Sequence, residues 1–266
     1  MIKIKSKIFM IISHKYKFLF IGLPFSASSA ITKELHAEYE GKPYLRKHSL
    51  YHEFEKVSTR EEESYFVFAV LRNPMEIAVT VYEKMKVNAK GNFTNSELFT
   101  ENGGHISKKH RERFNFIQDN NATFQEYFIK FFNKPFDNFA SLTLDHCDFV
   151  IRYENIEEDY ITALERAGIN NPKRLPVANK TSGKKQNLSD YYTTDIQSLS
   201  LFVFGPFFDK YNYQFPEDWK NRTVPFSSTV LFKLGGCLRK WKWKLKKNSD
   251  RKSIKGSIYG DMQREK

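Results

Sequence analysis

The sequence predicts an α/β fold with a central parallel sheet flanked by helices. Three short apolar runs, residues 18–21 (FLFI), 65–71 (YFVFAVL) and 149–153 (FVIRY), are each followed by a breaker or polar turn and then by a segment of helical periodicity. Such runs, apolar at nearly every position, suit parallel strands covered on both faces. Three strand-to-helix steps in succession argue for a parallel sheet.

The first step is the best marked. Phe18, Leu19, Phe20 and Ile21 run into Gly22 and Pro24, and residues 17–39 as a whole (KFLFIGLPFSASSAITKELHAEY) read as strand, tight loop and amphipathic helix. Ala27, Ser28 and Ser29 are small enough for backbone amides to point into the turn, and the helix start adds unpaired N–H groups and a positive dipole end. An anion site is expected there, beside the plainer reading of a serine-capped helix.

Residues 41–55 (GKPYLRKHSLYHEFE) follow, with a turn at Gly41-Lys42-Pro43 and the polar side chains Arg46, Lys47, His48 and His52. His52 is expected to be a solvated loop residue. His48 would serve as a general base if the loop returns to the end of the first strand. The second strand stops at Arg72-Asn73-Pro74, so Arg72 is expected on the rim where open α/β sheets gather ligands. Residues 76–86 carry Ile77, Val81 and Met85 at helical spacing, with Thr80 off that stripe. The Thr80 hydroxyl and the Arg72 guanidinium would together hold a phosphate, the alternative for Arg72 being a salt bridge.

Residues 87–121 read as a long polar insertion with the basic patch Lys108-Lys109-His110-Arg111. Residues 123–133 resume as an aromatic helix opened by a capping box, Thr123 with Glu126. The third strand leads into a helix over 156–167 closed by Gly168. Residues 175–186 (LPVANKTSGKKQ) form a Lys- and Ser-bearing loop, 188–208 a long aromatic helix, and 211–219 a turn.

The division expected is a nucleotide-binding domain over 1–223, with 88–121 as a variable insertion, and a basic tail over 224–266. In that tail, 226–247 mixes Leu, Phe and Trp with Lys and Arg. That is the composition of a helix lying on an anionic membrane, and equally of a packed terminal helix with its lysines in water; both readings stand.

At 266 residues the chain can bury one sizeable core, and its 25 Phe and 14 Tyr supply the area. The formal charge of +12 points to anionic partners without choosing among them. Cys147 and Cys237, the two cysteines, stand far apart, which indicates neither a disulfide framework nor a zinc site and suits a reducing compartment. The run 8–12 is too short for a signal-peptide core or a span, so the first residues are read as a basic lead-in and the location as cytoplasmic, with membrane association through the tail as an extension.

Taken together, these motifs resemble the sulfotransferases that use 3'-phosphoadenosine-5'-phosphosulfate (PAPS), in particular the carbohydrate sulfotransferase branch. The likeness spans most of 17–219. The stretch Pro24-Phe25-Ser26-Ala27-Ser28-Ser29 resembles the family loop P-K-x-[AG]-[ST]-[ST] that wraps the 5'-phosphosulfate. Arg72-Asn73-Pro74 with Thr80 and Tyr82 resembles the motif that binds the 3'-phosphate. FVIRYENIEEDY over 149–160 and LPVANKT over 175–181 resemble two later family motifs, the second bringing Lys180 and Thr181 toward the nucleotide.

The resemblance implies a P-loop-like three-layer sandwich, PAPS as donor substrate, no metal, and in-line sulfuryl transfer to a hydroxyl of a carbohydrate or glycolipid acceptor. It also implies a base at His48, since some branches carry theirs shortly after the first helix.

Two positions depart from the family. Phe25 stands where a lysine bridges the phosphosulfate, and a neutral aromatic cannot stabilise a leaving group's charge. Lys33, Arg46 and Lys47 are the nearest cations in sequence to take that role, Lys47 being adjacent to His48. Thr80 replaces the usual Ser and keeps the hydroxyl. The alternative is a noncatalytic relative that binds nucleotide or glycan. The loop lacks the G-K-[ST] ending of a P-loop NTPase, and no nucleic-acid-binding signature accompanies the charge.

Overall fold

A computed structural model describes residues 10–45, 49–137, 142–176 and 187–245. Its strands are β1 (Met10–Ser13), β2 (Phe18–Ile21), β3 (Lys42–Tyr44), β4 (Phe66–Leu71) and β5 (Phe149–Arg152). Its helices are α1 (Ser28–Glu38), α2 (Tyr51–Phe54), α3 (Pro74–Lys86), α4 (Lys108–Asp119), α5 (Phe124–Phe131), α6 (Ile156–Arg166), α7 (Thr194–Tyr211) and α8 (Phe226–Leu245). The chain divides into two compact units, one of Met1–Arg72, Asn138–Ala178 and Gly235–Lys266, the other of Asn73–Asp137 and Asn179–Leu234.

The first unit is built on a five-stranded sheet of order β3-β1-β2-β4-β5. The α/β class holds, and β2, β4 and β5 are parallel as expected. The sheet as a whole is mixed, because β1 pairs antiparallel with both β2 and β3. Residues 10–13, read as part of a lead-in, are therefore a buried strand, and the turn at Gly41-Lys42-Pro43 is partly an edge strand. Pro43 is tolerated in β3 because an edge strand has one side on which no N–H is needed.

One face of the sheet presents Ile11, Phe18, Phe20, Phe68, Val70 and Ile151, all fully buried against Ile31 and Leu35 of α1 and Tyr160, Ala163 and Leu164 of α6. Phe18 and Phe20 meet Phe68 with ring centroids 5.7 and 5.3 Å apart. Each such phenylalanine contributes roughly 1.5–3 kcal/mol by leaving water. The alternate residues Leu19, Ile21, Val67 and Ala69 are buried as well, which is why β2 and β4 read as continuous apolar runs rather than alternating ones. Past α6, Gly168 takes φ +82° and turns the chain so that Ile169 and Leu175 rejoin this core, with the Lys173 N–H donating to the Tyr39 hydroxyl at 2.8 Å.

In the second unit, α3, α5 and α7 occupy about the positions expected from the pattern. The α5 capping box forms, with Thr123 Oγ1 accepting from the Glu126 N–H at 3.3 Å and Glu126 accepting from the Thr123 N–H at 2.8 Å. Phe124, Tyr127, Phe128, Tyr192 and Phe204 make the aromatic core. The long aromatic helix begins at Thr194 rather than at Leu188, where a separate 3₁₀ turn sits.

The segment read as a polar insertion contains α4, opened by Ser107, whose Oγ accepts from the His110 N–H at 3.3 Å. Phe114 and Ile117 are its buried residues, too narrow a stripe to stand out among the charges. Among the described residues no helix is long and apolar enough to cross a membrane.

Candidate functional site

The loop from β2 to α1 and the residues just past β4 and β5 lie together in the first unit. Parallel register explains it. Ile21 of β2 pairs with Ala69 of β4, and Leu71 of β4 pairs with Arg152 of β5, so Gly22, Arg72 and Tyr153 all leave the sheet at its carboxyl edge. That edge is where open α/β sheets bind ligands.

The loop is tight and strained. Gly22 is required, since a Cβ there would sit 2.7 Å from the Ser28 Cβ. Phe25 and Ala27 both adopt left-handed backbone, φ 63° and 53°, costing about 1–2 kcal/mol each for residues with a side chain. Several bonds hold this shape. The hydroxyls of Ser26 and Ser28 donate to the Leu23 carbonyl at 2.7 and 3.3 Å, and the Arg72 guanidinium donates to the Phe25 carbonyl at 3.2 Å. Arg72 also stacks on Tyr153, its guanidinium carbon 4.4 Å from the ring centroid.

Two consequences bear on anion binding. The first α1 residues whose amides reach a backbone carbonyl are Ala30 and Ile31, both bonding to Ala27; the amides of Ser26, Ala27, Ser28 and Ser29 have no backbone acceptor among the described residues. No acidic side chain occupies the first turn of α1, so the helix itself places no negative charge at its positive end. Successive amides in a turn of alternating handedness form an anion-binding concavity. The Ser26 and Ser28 hydroxyls face inward to Leu23, so the backbone rather than these side chains is what the loop offers. Ser29 is half-buried, and Phe25 is 41% exposed.

The remaining expected residues distribute as follows. Pro24 to Ser29 and Arg72 are brought together. Thr80 sits within α3 in the second unit; it is 1% exposed, part of the buried face rather than off it, and its hydroxyl has no hydrogen-bond partner among the described residues. Tyr82 is buried too and donates to the Ala122 carbonyl at 2.8 Å; burial pushes its phenol up to about 12. Lys33 is exposed on α1. Lys47, His48, Lys180 and Thr181 lie outside the described residues, as does Arg46.

His52, expected in solvent, is buried in α2 at 7% exposure. Its ring packs edge-on against His146 at 5.1 Å and approaches the Glu55 carboxylate at 3.5 Å, and His146 in turn stacks on Tyr51 at 4.4 Å. Burial holds both imidazoles below their ordinary range. Cys147 and Cys237 are free thiols, and burial pushes that of Cys147 up.

Tyr153 and Asp159 lie within the stretch FVIRYENIEEDY, but the sequence reading assigned neither a place at the site. The parallel register of β4 and β5 seats Tyr153 beside Arg72. Asp159 fixes the turn after β5, accepting from the Arg152 N–H at 2.7 Å and from the Asn155 side chain at 2.8 Å. Among the described residues, no group of three or more His, Cys, Asp or Glu side chains is placed to hold a metal ion. Comparison of the chain with protein-family models, with curated proteins and with solved structures finds no match.

Proposed function

We propose that this chain is a PAPS-dependent sulfotransferase, with a P-loop-like three-layer sandwich as its fold, that moves a sulfuryl group to a hydroxyl of a carbohydrate or glycolipid acceptor. The observation that carries the reading is the turn from β2 into α1, where the amides of Ser26, Ala27, Ser28 and Ser29 have no backbone acceptor among the described residues and the Phe25 carbonyl accepts from Arg72. A 5'-phosphosulfate fits such a cradle by charge and by donor geometry. Among the described residues Arg72 is a cation in contact with the loop and Lys33 is exposed on α1, so Arg72 takes precedence over Lys33 as the group that compensates for Phe25.

In this reading the amides of residues 26–29 orient the transferring group and stabilise its nonbridging oxygens, and Arg72 offsets charge on the leaving phosphate. Lys180 and Thr181 contribute to nucleotide binding, the buried Thr80 being left out of that set, His48 takes the acceptor proton with Lys47 next to it in sequence, and no metal takes part. Binding of adenosine 3',5'-bisphosphate, read as a thermal shift, tests the cradle independently of the acceptor. No shift at millimolar ligand would refute it. His48→Ala and His48→Gln with unimpaired transfer and normal nucleotide affinity would remove the base assignment.

Phe25 favours a second reading, a module that binds nucleotide or sulfated glycan without turnover. Incubation with sulfur-labelled PAPS and a glycan panel separates the two: labelled product supports the enzyme, while binding with no product supports the module.

A further inference from the structure

We infer that α8 is a membrane-surface helix that lays an apolar face onto an anionic lipid bilayer. This rests on α8 alone and not on the sulfotransferase reading. At about 100° per residue, the exposed side chains Phe226, Val230, Leu231, Leu234, Leu238, Trp241 and Leu245 fall within a single arc of about 140°. Phe226 is 82% exposed, Leu238 65% and Trp241 63%, on a helix whose opposite side is turned inward with Ser228 fully buried. A surface helix of a globular protein shows the reverse, apolar residues inward.

Charge complementarity identifies the occupant. The helix carries Lys233, Arg239, Lys240, Lys242 and Lys244 and no acidic residue. Lys233 and Lys244 fall at one margin of the apolar arc and Lys242 at the other, where long side chains reach lipid headgroups while their stems cover apolar surface. Lys240 lies further round and pairs with Asp145 at 2.8 Å. Trp241 within the arc suits the boundary between headgroups and acyl chains. The helix is not apolar enough to cross a bilayer, so it lies along one. A second copy of the chain would bring two uniformly cationic helices together, which charge opposes.

Co-sedimentation of the full chain with vesicles tests this. Binding is expected to vesicles of phosphatidylglycerol mixed into phosphatidylcholine, weakening with added salt, and not to phosphatidylcholine alone. The Trp241 emission should shift to the blue on binding. The triple variant Lys233→Gln, Lys242→Gln, Lys244→Gln should lose at least about tenfold in partitioning, since each basic residue near an anionic surface contributes separately.

The variant Leu234→Ser, Leu238→Ser, Trp241→Ser should abolish binding with unchanged thermal stability, because all three side chains are exposed. Equal binding to neutral vesicles, or none to either kind, would overturn the inference. So would concentration-dependent dimerisation in sedimentation velocity that the serine variant removes while vesicle binding is absent.

Discussion

Arg72→Ala is the most informative single change to the candidate site, because one side chain closes the loop and stacks on the next strand's exit. Its bond to the Phe25 carbonyl at 3.2 Å is open to water, so its worth falls below that of a buried charged hydrogen bond, to about 1–1.5 kcal/mol. The stacking on Tyr153 adds about 0.5–1 kcal/mol at a site of this exposure. Truncation should therefore destabilise the protein by about 1.5–2.5 kcal/mol in urea unfolding at unchanged m-value.

Arg72→Lys should recover part of this, keeping charge and donor but not the planar stack. In a double-mutant cycle, Tyr153→Leu should couple to Arg72→Ala by about 0.5–1 kcal/mol. Both Arg72 variants should weaken adenosine 3',5'-bisphosphate binding. A stability change within about 0.3 kcal/mol for Arg72→Ala, with no coupling to Tyr153, would show that the guanidinium does not hold the loop.

Three further changes probe other parts of the structure. Gly22→Ala brings a Cβ to 2.7 Å from that of Ser28 and should cost about 1–3 kcal/mol in a thermal melt; adding Ser28→Gly should restore part of the loss. Thr80→Val replaces a buried hydroxyl without a described partner by a methyl group, so stability in urea should hold or rise by about 1 kcal/mol; a clear loss would show that the hydroxyl is bonded. The buried imidazoles His52 and His146 should make the protein acid-labile. Burial depresses both folded values, so the unfolded chain binds protons first; stability is intact above the ordinary 6.5 and is lost as pH falls from there through the depressed values. The groups facing His52 are His146, the Glu55 carboxylate, Lys240 and Lys244, and the two lysines oppose its protonation. His52→Phe keeps the packing and should flatten the urea midpoint against pH between about pH 7 and about pH 5.

What was legible in the sequence follows from how each element earns its stability. β2 and β4 declared themselves because both faces are buried and every residue is apolar, and β5 through its apolar start Phe149-Val150-Ile151, of which only Ile151 is fully buried. The helices α3, α5 and α6 declared themselves through stripe and cap. β1 was hidden because it continues an alternating Lys and Ile stretch with no breaker ahead of it. β3 was hidden because three residues with a proline look like a turn, and only pairing with β1 makes them a strand. His52 was misjudged for a related reason: its burial comes from His146, 94 residues away in sequence, which no local pattern reports.

The turn from β2 into α1 was legible in the sequence, but not how it is held. Glycine usually supplies the left-handed backbone of such a loop, and here Phe25 and Ala27 adopt it instead. Strain of this kind persists only where the surroundings over-determine the conformation. The bonds to the Leu23 carbonyl from Ser26 and Ser28, and to the Phe25 carbonyl from Arg72, supply that determination. Residue 25 contributes to the loop through its backbone carbonyl, and the residue as a whole is 41% exposed. The bond from Arg72 is to the backbone of residue 25 and not to its side chain, so a lysine in place of Phe25 would change the local charge while leaving that bond available.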